Sequence, residues 1–548
     1  MEFVRKVALL LRTVQHLRIS QIVYQIWYRV RPAPKVLIKK DVKINTKFGQ
    51  WTGNKYAEQS YFPANLFRFL NKSATISFKD DWNDPSFDKL WLYNLHYFDD
   101  LTSHDSHRRT VHHKKLLHQW IVDNPIMCGN GWEPYPLSLR IVNWIKWLSV
   151  NRDLLDDKIS KSLHRQILAL EKQLEFHILA NHLFANIKAL CFAGAFFEGQ
   201  DATRWREKGF KLLKRELKEQ FLADGAHYER SPMYHCILSW DLLDLYSLIK
   251  NHLGENEPAE TSFLLELLSD SSKKALGFLH RITHPDGDIA FFNDTTLGIA
   301  PRPAALHDYA HSLGLKPEVV KQDFSGFVKI DQGSIVLISD VGEIAPSYQP
   351  GHSHAEAGAF ELSVHGQRVL VNSGISEYNV TSKRLYQRGI SAHNCATQLN
   401  HLGVSLNSSE VWSGFRVGRR AKVSSLLSED KVNCTIKGLY SNQKSGPVKT
   451  EAKREIRVST HEVTVVDTII PGKDGKAYFH FHPSCTVYPI SNNQFLIKTP
   501  SATVSFIAEG AKVSLVNTSV WCAGFGKEIE RPVIEIEFNE HLVSSIRL

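Results

Sequence analysis

Two spacings of apolar residues divide this chain. From about residue 132 to 315, apolar side chains recur every three or four positions, the period of amphipathic helices. Helices are predicted over Val4–Tyr28 (basic on its polar side, ended by Pro32 and Pro34), Trp132–Ile145, Leu163–Ala180, Asn181–Phe197, Trp205–Phe221, Met233–Leu253 and Ala259–Arg281. Residues 41–90 carry mixed, turn-rich patterns. Beyond about residue 325 the period changes. Gly326–Asp331, Ser334–Ser339, Arg368–Asn372, Glu462–Asp467, Ala477–His482, Thr503–Ile507 and Val533–Phe538 are short β-branched or alternating runs, with a turn at Pro471–Lys476. Paired helices first and short strands second predict a helical toroid or solenoid followed by an antiparallel β-sandwich. The divisions fall at 1–40, 41–320 and 325–548. No internal repeat is visible.

At 548 residues the chain needs more than one core, and 43% hydrophobic with 22% charged residues is globular composition. The net charge of +9 favours an anionic partner: nucleic acid, membrane surface or acidic polysaccharide. Basic clusters are short, as in Arg416–Lys422, and no nucleic-acid motif is present, so nucleic acid is not expected. Twelve tryptophans exceed ordinary packing needs, and aromatic faces stack on sugar rings. Seven cysteines without CxxC spacing indicate neither a zinc knuckle nor a disulfide framework. Val7–Leu11 is too short for a signal-peptide core, and no run of apolar residues is long enough to span a membrane. The expected location is therefore cytoplasmic, with a periplasmic or secreted one requiring another export route.

Chemistry concentrates in four stretches. Gly351-His-Ser-His354 leads into the alternating run Phe360, Leu362, Val364; two extended histidines two apart share a face, so one imidazole can ligate a metal while the other meets a substrate. Asn181 stands where an N-cap would, and His182 and Asn186 share one helical face. Asp224–His235 packs His227, Tyr228, Glu229, Arg230, Tyr234 and His235 into one loop, residue types suited to proton transfer. Arg384–Asn394 offers guanidinium groups for carboxylate or sulfate, and His393 as a partner for His354.

Together, Trp132–Trp144, Asn181-His182, Asp224-Gly225 with Tyr234, Gly351–His354, Val369–Gly374, Tyr386–Arg388 and Ala392–Asn394 resemble the heparinase II/III family of polysaccharide lyases. The resemblance runs from about Trp91 to Arg420. It implies an incomplete (α/α) toroid followed by an antiparallel β-sandwich, and β-elimination at a uronic acid of an acidic polysaccharide. By the same resemblance Asn181, aided by His182, would stabilise the developing enolate; Tyr234 or His352 would take the C5 proton, and Tyr234 would protonate the leaving oxygen. Tyr234 fits the spacing from Asn181 better than Tyr228. Tyr228, Arg388 and Trp132 would contact substrate. Family members carry a divalent ion, often zinc; His354 and His393 match ligand positions, whereas Asn372 replaces the usual Asp, and an amide oxygen is a poorer ligand. Two other readings stand beside the lyase: a non-catalytic glycan-binding protein of surface-polysaccharide assembly, and a glycoside hydrolase using Glu133 and Glu229.

Overall fold

The computed structural model describes all residues except 1, 33, 37–41, 254–257, 323–324, 440–447 and 471. The expected joint at residue 41 and the first residue of the expected turn, Pro471, lie outside the described residues. The α-helices among the described residues are α1 (Glu2–Val14), α2 (Ile19–Val30), α3 (Lys89–Tyr97), α4 (Thr110–Asp123), α5 (Pro134–Val150), α6 (Asp157–Glu171), α7 (Ala180–Phe196), α8 (Gln200–Gln220), α9 (Pro232–His252), α10 (Pro258–Ile282), α11 (Pro303–Ser312) and, in the second half, α12 (Ser382–Gln387). Helix α7 is apolar on every side and buried along almost its whole length, which places it inside the bundle against α5, α8 and α9. Two glycines let α7 and α8 approach closely. A Cβ on Gly194 would come within 2.7 Å of Arg206, and one on Gly209 within 2.9 Å of Cys191 Sγ.

Two helix expectations are corrected. Val4–Tyr28 is two helices, α1 and α2, because Arg18 adopts an extended conformation and starts a new helix. Leu163–Ala180 stops at Glu171. Its tail keeps a helical pattern, but Asn186 Oδ1 accepts the Glu175 N–H at 2.8 Å and Leu179 takes φ 69°, so tertiary partners turn the chain.

In the second half, strands 327–331, 335–340, 359–364 and 367–370 form an antiparallel four-stranded meander. A larger antiparallel sheet runs in the order 422–427, 431–439, 448–458, 462–469, 527–547, 503–524, 494–498, 486–491, with 474–480 also paired to 527–547. Inward residues of the meander (Ile330, Leu337, Phe360) share a core with Val463, Val465, Phe479, Phe506 and Ile534 of the larger sheet. Two sheets facing across one core make the expected sandwich. A further core crosses between halves: Met233, Trp240, Phe278 and Ile282 from α9 and α10 pack with Phe327, Ile338 and Ala359. The cleft described below is therefore walled by two halves that share buried side chains.

A candidate active site between toroid and sandwich

A cleft of about 900 Å³ opens where the halves meet. Asn181 and His182 reach it from the first turn of α7, Tyr135 from α5, and Tyr93 and Tyr97 from α3. Tyr234 enters from the first turn of α9, whose N-cap Ser231 accepts the Tyr234 N–H at 3.2 Å and whose first residue is Pro232. The sandwich side contributes Gly351, His352, Tyr378 and Phe415.

Asn181 is not an N-cap, since Leu179 occupies that position. Its Nδ2 donates instead to Glu229 at 3.0 and 3.3 Å, which fixes the edge of the amide that carries hydrogens. His182 and Asn186 do share a face, and both bind Glu175, at 2.9 and 3.0 Å. Burial opposes a charge on His182, yet Glu175 beside it holds the imidazole above its ordinary pKa. Its Glu175 partner thus favours the charged form of His182 at the cleft wall.

Across the cleft, His352 stacks on Tyr234 with ring centroids 4.0 Å apart. Burial pushes the Tyr234 phenol well above its ordinary pKa, reinforced by Tyr378, whose hydroxyl lies 3.2 Å away. Tyr234 is thus a neutral phenol with a proton to give. His352 Nδ1 lies 2.8 Å from Asp294 Oδ2, so Nδ1 donates to the carboxylate and Nε2 is the nitrogen left toward the cleft, 3.7 Å from Glu229 Oε1.

Asp294 joins the elements of the site. It binds His352, His354 Nε2 at 2.8 Å, and both terminal nitrogens of Arg384 at 2.5 and 2.7 Å. Burial alone would raise its pKa, but Arg384 and the two imidazoles hold it well below the carboxylate range. His352 and His354 do lie to one side of their backbone, and the common group is this carboxylate. The segment before the meander that supplies it follows the apolar run Ile289–Phe292. The only sequence signal for it was that run's abrupt polar end, Asn293-Asp294.

Next to it, His354, Glu356 and His393 bring one ligand atom each within 4.8 Å of the others. All three side chains are buried; His393 Nδ1 lies 2.9 Å from Glu356 Oε2, while His354 Nδ1 and His393 Nε2 lack hydrogen-bond partners. Burial pushes His354 down to about 3, so it is neutral, as a metal ligand must be. Two imidazoles and a carboxylate gathered this closely suit a divalent ion such as zinc, and Asp294 behind His354 is the usual supporting carboxylate. This arrangement corrects the expected third ligand. Asn372 Oδ1 accepts the Asn394 N–H at 3.0 Å, and Glu356 supplies the carboxylate.

Three expected substrate contacts are also corrected. Tyr228 is buried among the aromatic rings of His227 and Tyr348 and does not line the cleft. Trp132 packs on Trp120 in the helical core. Arg388 is fully buried and donates to the carbonyls of Ser353 and Ser413. Bulky or charged side chains with helical or loop spacing carry no mark of which face they take, and here the core took all three. Glu133 and Glu229, the pair a hydrolase would need, are not among the cleft-lining residues.

Residues 143–311 match the family described as "Heparinase II/III N-terminus", and residues 316–546 match "Heparinase II/III-like, C-terminal". The chain belongs to the heparinase II/III family. It is 26% identical over 251 residues to a heparin-sulfate lyase of Bacteroides stercoris, covering 40% of this chain and 36% of that one. It is 30% identical over 189 residues to FtsZ-localized protein C of Caulobacter vibrioides, covering 34% of this chain and 30% of that one. The aligned stretch thus spans about a third of these relatives' length. A solved heparinase III structure superposes with a TM-score of 0.61 over 96% of this chain and 88% of its own, at 16% identity. At that identity the likeness speaks for the fold: a toroid with a sandwich.

Proposed function

We propose that this heparinase II/III protein is a polysaccharide lyase that cleaves a uronic-acid-containing polymer by β-elimination. The observation that carries the reading is the meeting of His352, its Nδ1 held by ionised Asp294, with a protonated Tyr234 and the Asn181–His182 pair around one cleft. Asn181, its amide held by Glu229, and cationic His182 bind the uronate carboxylate. Partial neutralisation of that carboxylate acidifies the proton on C5. His352 Nε2 accepts this proton, its own Nδ1–H remaining on Asp294. The C4–O bond then breaks, the C4–C5 double bond forms, and Tyr234 gives its proton to the departing glycosidic oxygen. A glycan-binding role would not require a base and an acid stacked on each other.

The same reading includes a divalent ion held by His354, Glu356 and His393; when bound it would supply a fixed positive charge behind the site. The cleft also bears on the substrate class. Its lysines are Lys72, Lys89 and Lys383, and no arginine lines it. Lys72 pairs with Asp88 at 2.5 Å, Lys383 with Glu528 at 2.8 Å, and Lys89 with Glu133. A wall whose cations are already paired suits a polymer bearing carboxylates more than one densely sulfated.

The test is to incubate the protein with a panel of uronate polymers of rising sulfation and follow the ultraviolet band of the unsaturated uronate. We expect absorbance to rise on a low-sulfate polymer, and Tyr234→Phe and His352→Gln each to reduce the rate by about a hundredfold or more. Both variants retaining near-wild-type rates would reject the assignment. New reducing ends without the band would mean hydrolysis.

A further inference from the structure

The α1–α2 pair has a feature that catalysis does not use. In α1, Phe3, Val4, Val7, Leu10, Leu11 and Val14 recur at helical spacing and all are exposed, Phe3 to 77%. In α2, Ile19, Val23, Ile26, Trp27 and Val30 do the same, with Ile19 exposed to 81% and Trp27 to 53%. At about 100° per residue, each stripe is centred opposite the one buried residue of its helix, Leu9 in α1 and Gln21 in α2. A surface helix normally turns its apolar stripe to the core. Both helices of this pair turn theirs to solvent.

Charge indicates what covers the stripes. Residues 2–31 hold Arg5, Lys6, Arg12, Arg18, Arg29 and Arg31 against a single acid, Glu2. Arg12 and Arg18 fasten the pair to the body through Glu410 and Glu219. By the same helical spacing, Lys6 and Arg29 fall about a quarter-turn from the stripe centres, where a long side chain can carry its charge to phosphate level while the stripe is immersed. Trp27 lies within the stripe, a residue type favoured at the bilayer–water boundary. No described helix is long and apolar enough to cross a membrane.

We propose that α1 and α2 form an in-plane anchor that docks this protein on an anionic lipid bilayer. The pair is tied to the cleft. Gln21 Nε2 donates to the Tyr348 carbonyl at 3.2 Å, and Trp412 Nε1 to Thr13 Oγ1 at 3.1 Å. The adjoining residues Gln349, Gly351 and Phe415 line the cleft. Docking would hold the cleft beside the bilayer, where a polymer still held at a membrane could enter it.

The experiment is co-sedimentation of the full chain with vesicles of phosphatidylcholine alone and of phosphatidylcholine with one-quarter phosphatidylglycerol. We expect binding to the anionic vesicles that weakens with added salt. Val23→Glu with Ile26→Glu should cut partition by about tenfold or more while melting temperature is unchanged, since both side chains are exposed. Lys6→Glu with Arg29→Glu should reduce binding to anionic vesicles with the stripe intact. Equal binding to both vesicle types, or no loss in either double variant, would overturn the proposal. So would a lipid-free dimer that Val23→Glu with Ile26→Glu dissolves, because the stripe would then belong to a second copy.

Discussion

At the scale of single residues, Asp294 joins His352, the proposed base, to Arg384 and to His354 of the candidate metal cluster. Asp294→Asn would leave fully buried Arg384 without its counter-charge, a loss of about 3–5 kcal/mol by the usual cost of a half-broken buried pair. Urea unfolding should show that loss, and lyase activity should fall with it. Pairing Asp294→Asn with Arg384→Met should recover stability in part but leave activity low, because an amide carries no charge to support protonated His352 and has one acceptor oxygen where Asp294 uses two, for His352 and His354. Equal recovery of both would mean that Asp294 acts only by packing. The metal cluster gives a separate prediction. Elemental analysis of protein prepared without chelator should find about one divalent ion per chain. Glu356→Gln or His393→Ala should remove it, whereas Asn372→Ala should retain it, because Asn372 Oδ1 serves a backbone N–H.

At the scale of elements, the position of α7 sets the Asn181–His182 pair, and its packing on α8 depends on two glycines. Gly194→Val would force side-chain atoms against Arg206 backbone and Cβ, where a Cβ alone would come within 2.7 Å. The expected cost is about 1–3 kcal/mol of overpacking, read as a shift of the denaturant midpoint. Because the helix start carries the pair, turnover should drop more than the loss of folded protein explains; an unchanged kcat per folded molecule would show that α7 does not transmit the shift. Helix identities were largely legible, since α7 and α9 begin and end within one residue of their predicted bounds, while α8 starts five residues before its predicted Trp205. The overrun of α6 was not, because Lys172–Leu179 keeps a helical pattern and only the Asn186 and Glu175 contacts turn it.

For the whole molecule, buried histidines set the response to acid. His96 sits between the Trp82 carbonyl at 3.0 Å and the Trp120 indole N–H at 3.0 Å, one acceptor and one donor, so only neutral imidazole fits. His235 is likewise held between the Ala275 carbonyl at 2.9 Å and the His227 N–H at 3.2 Å. Burial pushes them down to about 3 and about 4. Their folded pKa values lie below the unfolded one of about 6.5, so the unfolded chain binds the extra protons. Stability is full above about pH 6.5 and erodes as pH falls toward 4, at about 3 kcal/mol per pH unit for the two groups. Asp294, depressed instead, adds its own loss only below the ordinary carboxylate range. Urea midpoints at pH 7 and pH 5 test this. His235→Gln should flatten the slope, and an unchanged slope would place the proton uptake elsewhere.

The sequence alone determined the order of the two halves, because the period of burial is written in the spacing of apolar residues. It also singled out short polar stretches that the fold brings together: Asn181-His182, Tyr234 and His352 all reach one cleft. What only tertiary structure decided was the choice of partner. Asp294 and Glu356 stand in loops without periodicity, and their roles come from side chains up to 90 positions distant. Trp132, Tyr228 and Arg388 met the core rather than the cleft, since spacing in sequence does not say which face a bulky or charged residue will bury. The outward stripes of α1 and α2 were hidden for the same reason: an apolar period predicts a helix, and only the fold shows that, among the described residues, the stripes face solvent.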